Sequence, residues 1–228
     1  MKNPKMGSWI HEDALDKFYA KGGGGKQDDP VLTTMKDAVR VMRSTVDRCA
    51  ETTATVLKNE MKTRVANMRD AAASNYQRFM KAAPAFDEAR RIAQSEVARI
   101  IETTSSPAST QYDSEIRASL KAMSRQERED AIDRAIANGE DTVVAAILAG
   151  PSMLSGLSTT ERDLYRERWR ARRFPHELDR QRRLEAALKV FDGLGTVAQK
   201  HVLALTDDES VRRAEATELA ARTAVNAA

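Results

Sequence analysis

Arg162, Arg166, Arg170 and Arg173 are spaced so that, at about 100° per residue, all four project within about 80° of one another on a helix, with Trp169 beside them. Guanidinium groups in a row next to an indole have the chemistry to grip phosphates and to stack on a base or a peptide group. The same row has a plainer use, as a solvated stripe neutralised by Asp163, Glu167 and Glu177 with Trp169 turned into a core. Sequence leaves both uses open, so these five residues are the candidate contact for nucleic acid or an acidic partner.

Other chemistry lacks its partners. His11, His176 and His201 stand far apart, and none has a metal-ligand companion on its own helix face. Gly22, Gly23, Gly24, Gly25 and Lys26 look like part of a phosphate loop, but the Gly-x-x-x-x-Gly-Lys-Ser/Thr spacing is absent and no strand pattern precedes them. There is no Gly-x-Ser-x-Gly elbow, and most carboxylates sit at helical-pair spacing from Arg or Lys. The one cysteine, Cys49, falls on an apolar stripe, where a small buried hydrophobe is the simpler reading. The expectation is a protein that is not an enzyme, with no metal, no cofactor and no small-molecule substrate.

Positioning falls to helices. Aromatics are 5% of the 228 residues and period-two alternation is lacking, so an all-α fold is expected. Residues 31–83 carry a helical pattern about fifty residues long without proline or glycine. Met35, Val39, Met42, Val46, Cys49, Thr53 and Val56 recur at alternating spacings of four and three, which keeps a narrow stripe toward a partner helix. At Glu60 the repeat changes to Leu57, Met61, Val65, Met68, Ala72, Tyr76 and Phe79, an eleven-residue period. Such a rod reaches roughly 75 Å, longer than a chain of this size covers by itself. Met35, Val39, Met42, Val46 and Val56 are therefore expected to pack against other chains, the methionines serving as adaptable contacts.

Around the rod, residues 1–29 read as a leader. An anchor helix over 8–21 would dock Trp9, Phe18 and Tyr19 on a neighbour, tethered through the four glycines, with a floppy tail as the alternative. Asp28, Asp29 and Pro30 signal the rod's start, and Pro84 its end. Phe86, Ala89, Ala93, Val97 and Ile100 line a return helix, completing a helical hairpin over 30–104. Thr103, Ser105, Ser106 and Pro107 mark a linker, and residues 111–228 form a small multi-helix domain. There, Ser124 with Glu127 and Ser158 with Glu161 are capping pairs, while Gly139, Gly150 and Gly193 suit helix ends. Separate helices are expected over 177–192 and 195–205, with a last one from about 208. The apolar run from Thr142 to Gly150 should be the central helix.

Net charge is +3, and it is unevenly spread. Residues 30–82 hold ten Lys or Arg against five acids, and residues 161–183 nine Arg against five. Basic surfaces of this density suit nucleic acid or an acidic protein face. No run approaches the roughly eighteen apolar residues of a membrane span, and the start lacks a signal-peptide core, so cytoplasmic synthesis is expected.

The stretch Ala146-Ile-Leu-Ala-Gly-Pro-Ser-Met-Leu-Ser-Gly-Leu-Ser-Thr-Thr-Glu-Arg162 resembles a pattern of minor structural proteins of tailed bacteriophages and prophages. The resemblance implies a virion component at the portal and neck or in the head interior, made in the host cytoplasm, with copies of itself, other virion proteins or packaged DNA as partners. It carries over no functional residues. The competing expectation is a dimeric cytoplasmic regulator using the arginine-rich helix on nucleic acid.

Overall fold

In the computed structural model, the described residues are 10–22, 25–26, 28–56, 61–206, 216–217, 219–220 and 223. The fold is all-α. A 3-10 helix, Glu12–Phe18, is followed by two-residue strands β1 (Lys21–Gly22) and β2 (Gly25–Lys26). Among the described residues the α-helices that follow are α1 Pro30–Val56, α2 Met61–Thr103, α3 Asp113–Ala122, α4 Arg125–Asn138, α5 Asp141–Leu148, α6 Thr159–Arg173 and α7 Pro175–Thr206. They divide into two units, Met1–Gln94 with Leu184–Ala228, and Ser95–Arg183. That division does not follow the boundary expected at residues 104–110, because α2 and α7 each contribute residues to both units.

In the first unit, α1 starts as its sequence dictates. The Asp29 carboxylate accepts a hydrogen bond from the Val31 N–H at 3.1 Å, satisfying an orphan donor of the first turn, and Pro30 opens the helix. The apolar stripe is Val31, Leu32, Met35, Ala38, Val39, Met42, Val46, Cys49 and Thr53, all buried. What covers it corrects the expectation of one straight rod. Asn75 on α2 donates through Nδ2 to the Cys49 carbonyl at 3.3 Å and to Thr53 Oγ1 at 3.0 Å, and Cys49 Sγ lies 3.7 Å from the Asn75 carbonyl. Residues 26 apart along a continuous helix would stand about 39 Å apart. The chain therefore turns back between Cys49 and Asn75, and α2 lies alongside α1. Leu57 and Glu60, where the repeat changes, are outside the described residues.

On α2 the expected seam holds at Met68 and is offset by one position at Ala72 and Tyr76, while the side chains of Leu57, Met61 and Val65 lie outside the described residues. Met68, Ala71, Asn75, Ala82, Phe86, Ala89 and Ala93 are the buried line of α2, while Tyr76 is exposed. α2 then runs through Pro84 rather than ending before it, so the return helix expected after residue 84 is the same helix. Pro84 is exposed, as is Met80, whose carbonyl loses its usual donor to the proline. Burial of Ala82, Phe86, Ala89 and Ala93 on the opposite face keeps the helix going. Phe86 stacks on Phe191 of α7, with centroids 3.8 Å apart and planes inclined by 10°, and Arg90 Nε donates to Asp192 Oδ1 at 2.8 Å. α7 is one helix through Gly193 and Gly195, not two. The helix expected from residue 208 lies largely outside the described residues.

The second unit has a core of Leu120, Ile132, Ile136, Val144, Ile147, Leu148, Leu157, Tyr165 and Trp169. α5 is central, with Val144 through Leu148 all buried. Both capping boxes form, at Ser124 with Glu127 and at Ser158 with Glu161. Gly139 ends α4 in the left-handed region at φ 74°. Gly150 and Gly193 do not adopt that conformation; Gly156, at φ 72°, does. A loop does follow Thr103, but it lies inside the second unit and not between units.

Candidate binding surfaces

α6 carries the arginine row, and its rotation is set by Tyr165 and Trp169. Both are buried, and the Trp169 ring meets Phe174 edge-on with centroids 5.3 Å apart. The indole Nε1–H, which would be costly to bury unpaired, donates to Asp141 Oδ1 at 2.9 Å. Once those two side chains face inward, Arg162, Arg166, Arg170 and Arg173 are brought to groups already in need of donors. Arg162 Nη1 reaches the Gly150 carbonyl at 3.4 Å, just after α5. Arg166 Nη1 pairs with Asp163 at 2.8 Å, and Arg173 Nε lies 3.5 Å from Asp141 Oδ2. Arg170, its side chain only 13% exposed, donates to Glu167, Thr104 and Gln181.

These contacts match the plainer of the two uses of the row, a stripe neutralised within the chain with Trp169 in the core. Trp169 is 3% exposed and has no face for a base, and each of the four guanidiniums has an intrachain acceptor. Side-chain oxygens hold Arg166, Arg170 and Arg173, and the Gly150 carbonyl holds Arg162; other arginines of this unit cap carbonyls left at the ends of its short helices. Arg117 donates to the Ala146 carbonyl at 3.0 Å. Arg128 joins the carbonyls of Leu120, Met123 and Gly156.

The expected partner-facing seam is likewise satisfied within the first unit. Met35, Val39, Met42 and Val46 are buried by their own chain, and Val56 is half-buried. Each large apolar side chain hidden this way contributes about 1.5–3 kcal/mol, and that gain does not await a second molecule. The leader also docks in cis. Leu15 and Ile10 are fully buried, Lys36 pairs with Asp16 at 2.5 Å, Arg43 pairs with Glu12 at 3.3 Å, and the hydroxyls of Tyr19 and Thr33 are 3.1 Å apart. The Asp16 carboxylate raises the Lys36 ammonium above its usual range. Phe18 is half-buried with the Lys17 ammonium 5.0 Å from its ring centre. Phe18 and Tyr19 therefore belong to a segment docked on α1 of the same chain; Trp9 lies outside the described residues. The tether narrows too, since Lys21 pairs with Lys26 and Gly22 with Gly25, leaving Gly23 and Gly24 outside the description.

Large apolar side chains do remain outward. Tyr76 and Met80, one turn apart on α2, are 47% and 48% exposed. In the second unit Met153 is 72% exposed, and Leu154 and Leu164 are also exposed. Burial raises the Cys49 thiol above its ordinary range, as expected for a core cysteine. Among the described residues no three His, Cys, Asp or Glu side chains are grouped to hold a metal ion, and no helix is long and apolar enough to cross a membrane. Compared with known proteins, the chain matches no family model, no curated protein and no solved structure.

Proposed function

We propose that the protein is a non-enzymatic structural or assembly component whose partners are copies of itself or other virion proteins, in keeping with the resemblance of residues 146–162 to minor virion proteins of tailed phages. The observation that carries this reading is the pair Tyr76 and Met80, two large apolar side chains held half in water one helical turn apart on α2. Rigid helices with such i, i+4 anchors are suited to lateral packing against a helix of another chain. The contact surface thus differs from the stripe at Met35, Val39, Met42 and Val46, which the chain keeps for its own core. The 43-residue α2 supplies the extended helical element of such a component.

Analytical ultracentrifugation of the native chain and of a Tyr76→Ser, Met80→Ser double variant tests the reading, together with binding to purified portal, neck and head proteins. The native chain is expected to self-associate or to bind one of them, and the variant to stay folded but lose that association. A native chain that remains a compact monomer at high concentration and binds none of these proteins would overturn it.

A further inference from the structure

In both units, arginines are spent on intrachain acceptors wherever packing brings one close. Arg40, Arg43, Arg90, Arg91 and Arg99 have carboxylate partners, and Arg117, Arg128 and Arg134 donate to backbone carbonyls. Arg48 on α1 and Arg78 on α2 are different. They line one shallow cleft of about 430 Å³ in the first unit, with Glu51, Thr52, Thr55 and Val56. Both are exposed, and among the described residues neither has a carboxylate within ion-pair distance. Arg78 spends one Nη1 donor on Thr52 Oγ1 at 2.6 Å, which fixes its guanidinium over the cleft.

Two arginines line this cleft with one described carboxylate, Glu51, beside them, a surplus of positive charge that an anion would neutralise. From this geometry we infer that the Arg48–Arg78 cleft is a contact for the phosphodiester backbone of a nucleic acid. The cleft is open rather than enclosed, so it suits phosphates of a strand lying across it better than a small molecule engulfed by protein. Planar guanidiniums on two adjacent helices present paired N–H donors that match phosphate oxygens. The Thr52 and Thr55 hydroxyl protons are committed to the carbonyls of Arg48 and Glu51, at 2.8 Å each, so the donors offered to the ligand are those of the two arginines. Glu51 is the one carboxylate among the described residues that line the cleft, and it opposes the ligand. Recognition is of charge and spacing, without base readout, and it does not depend on the assembly proposal.

Fluorescence anisotropy with a labelled 20-mer of duplex DNA and the same strand alone tests the site, using the full chain at a series of salt concentrations. The native protein is expected to bind at least one form saturably at low salt. Arg48→Gln with Arg78→Gln should weaken binding by about tenfold and flatten the log–log salt slope by about 1.8 on the duplex or about 1.4 on the single strand, because two phosphates are no longer neutralised. Glu51→Gln should strengthen it. A control, Arg172→Gln with Arg182→Gln, removes the same charge from exposed positions elsewhere and should change affinity less than about twofold. Circular dichroism confirms that each variant is folded. Absence of binding by the native chain, equal losses in the two double variants, or equally tight binding of polyglutamate would each overturn the inference.

Discussion

Gly193 and Gly195 stand two residues apart in α7, yet they face opposite demands. A Cβ built at Gly193 meets nothing within 4 Å, whereas one at Gly195 lies 2.6 Å from the Phe86 ring, which is itself held by stacking on Phe191. Gly193→Ala should therefore stabilise the protein by about 0.5–1 kcal/mol, the ordinary helical preference for alanine. Gly195→Ala should destabilise by about 1–3 kcal/mol, because the ring has no free side to retreat to. Urea unfolding of the two variants checks both signs at once, and equal effects at the two positions would refute the packing of α7 on α2. Read from sequence, both glycines look like helix breakers; what separates them is a neighbour about a hundred residues away.

Among the helices, what spacing could and could not reveal is sharpest at Asn75. The stripe of α1 was readable from its four-three repeat, and so were both capping boxes and the apolar α5. On α2 the apolar-only line through Ala72 and Tyr76 missed the buried face by one position, because that face contains a polar residue. Asn75 is tolerated there since the Cys49 carbonyl and Thr53 hydroxyl accept from its amide. In α6 the helical spacing of the arginines was equally plain, and so were Asp163 and Glu167 as partners one turn away; Asp141, Thr104, Gln181 and the Gly150 carbonyl are brought in by packing and have no such signature. The same scale offers a pH test in the second unit. Glu96 on α2 is held at a pKa of about 2 by its bidentate bonds to Arg99, at 2.7 and 2.8 Å, and by Arg180 on α7. A carboxyl lowered from its ordinary 4.5 stabilises the fold fully above about pH 4.5 and loses that contribution as pH falls toward 2. With Arg99 largely in solvent, the contribution is roughly 1–2 kcal/mol. The stability gap between native protein and Glu96→Gln, from denaturant titrations, should be widest near pH 6 and shrink toward pH 2. A gap independent of pH would remove the ion-pair explanation.

At the scale of the whole chain, composition disclosed an all-α protein, while the allocation of helices to units did not follow the punctuation. Pro84, Gly193 and Gly195 mark no boundary, because the packing of α2 and α7 outweighs local preference at each of them. The consequence for function is that a long apolar stripe is not by itself a docking surface. Residues 30–56 find their cover in the helix that follows, and only the side chains left in water, such as Tyr76 and Met80, are free for other chains. The deciding observation is a distance between α1 and α2 in solution. Nitroxide labels at Thr52→Cys and Arg78→Cys in a Cys49→Ala background, mixed with excess unlabelled protein, isolate the intramolecular separation. Side-by-side helices, with Thr52 and Arg78 hydrogen-bonded in the native chain, place the labels within about 20 Å of each other. A spin–spin distance near 39 Å, as a continuous helix of 26 intervening steps gives at about 1.5 Å each, would mean that the stripe is left for another molecule to cover.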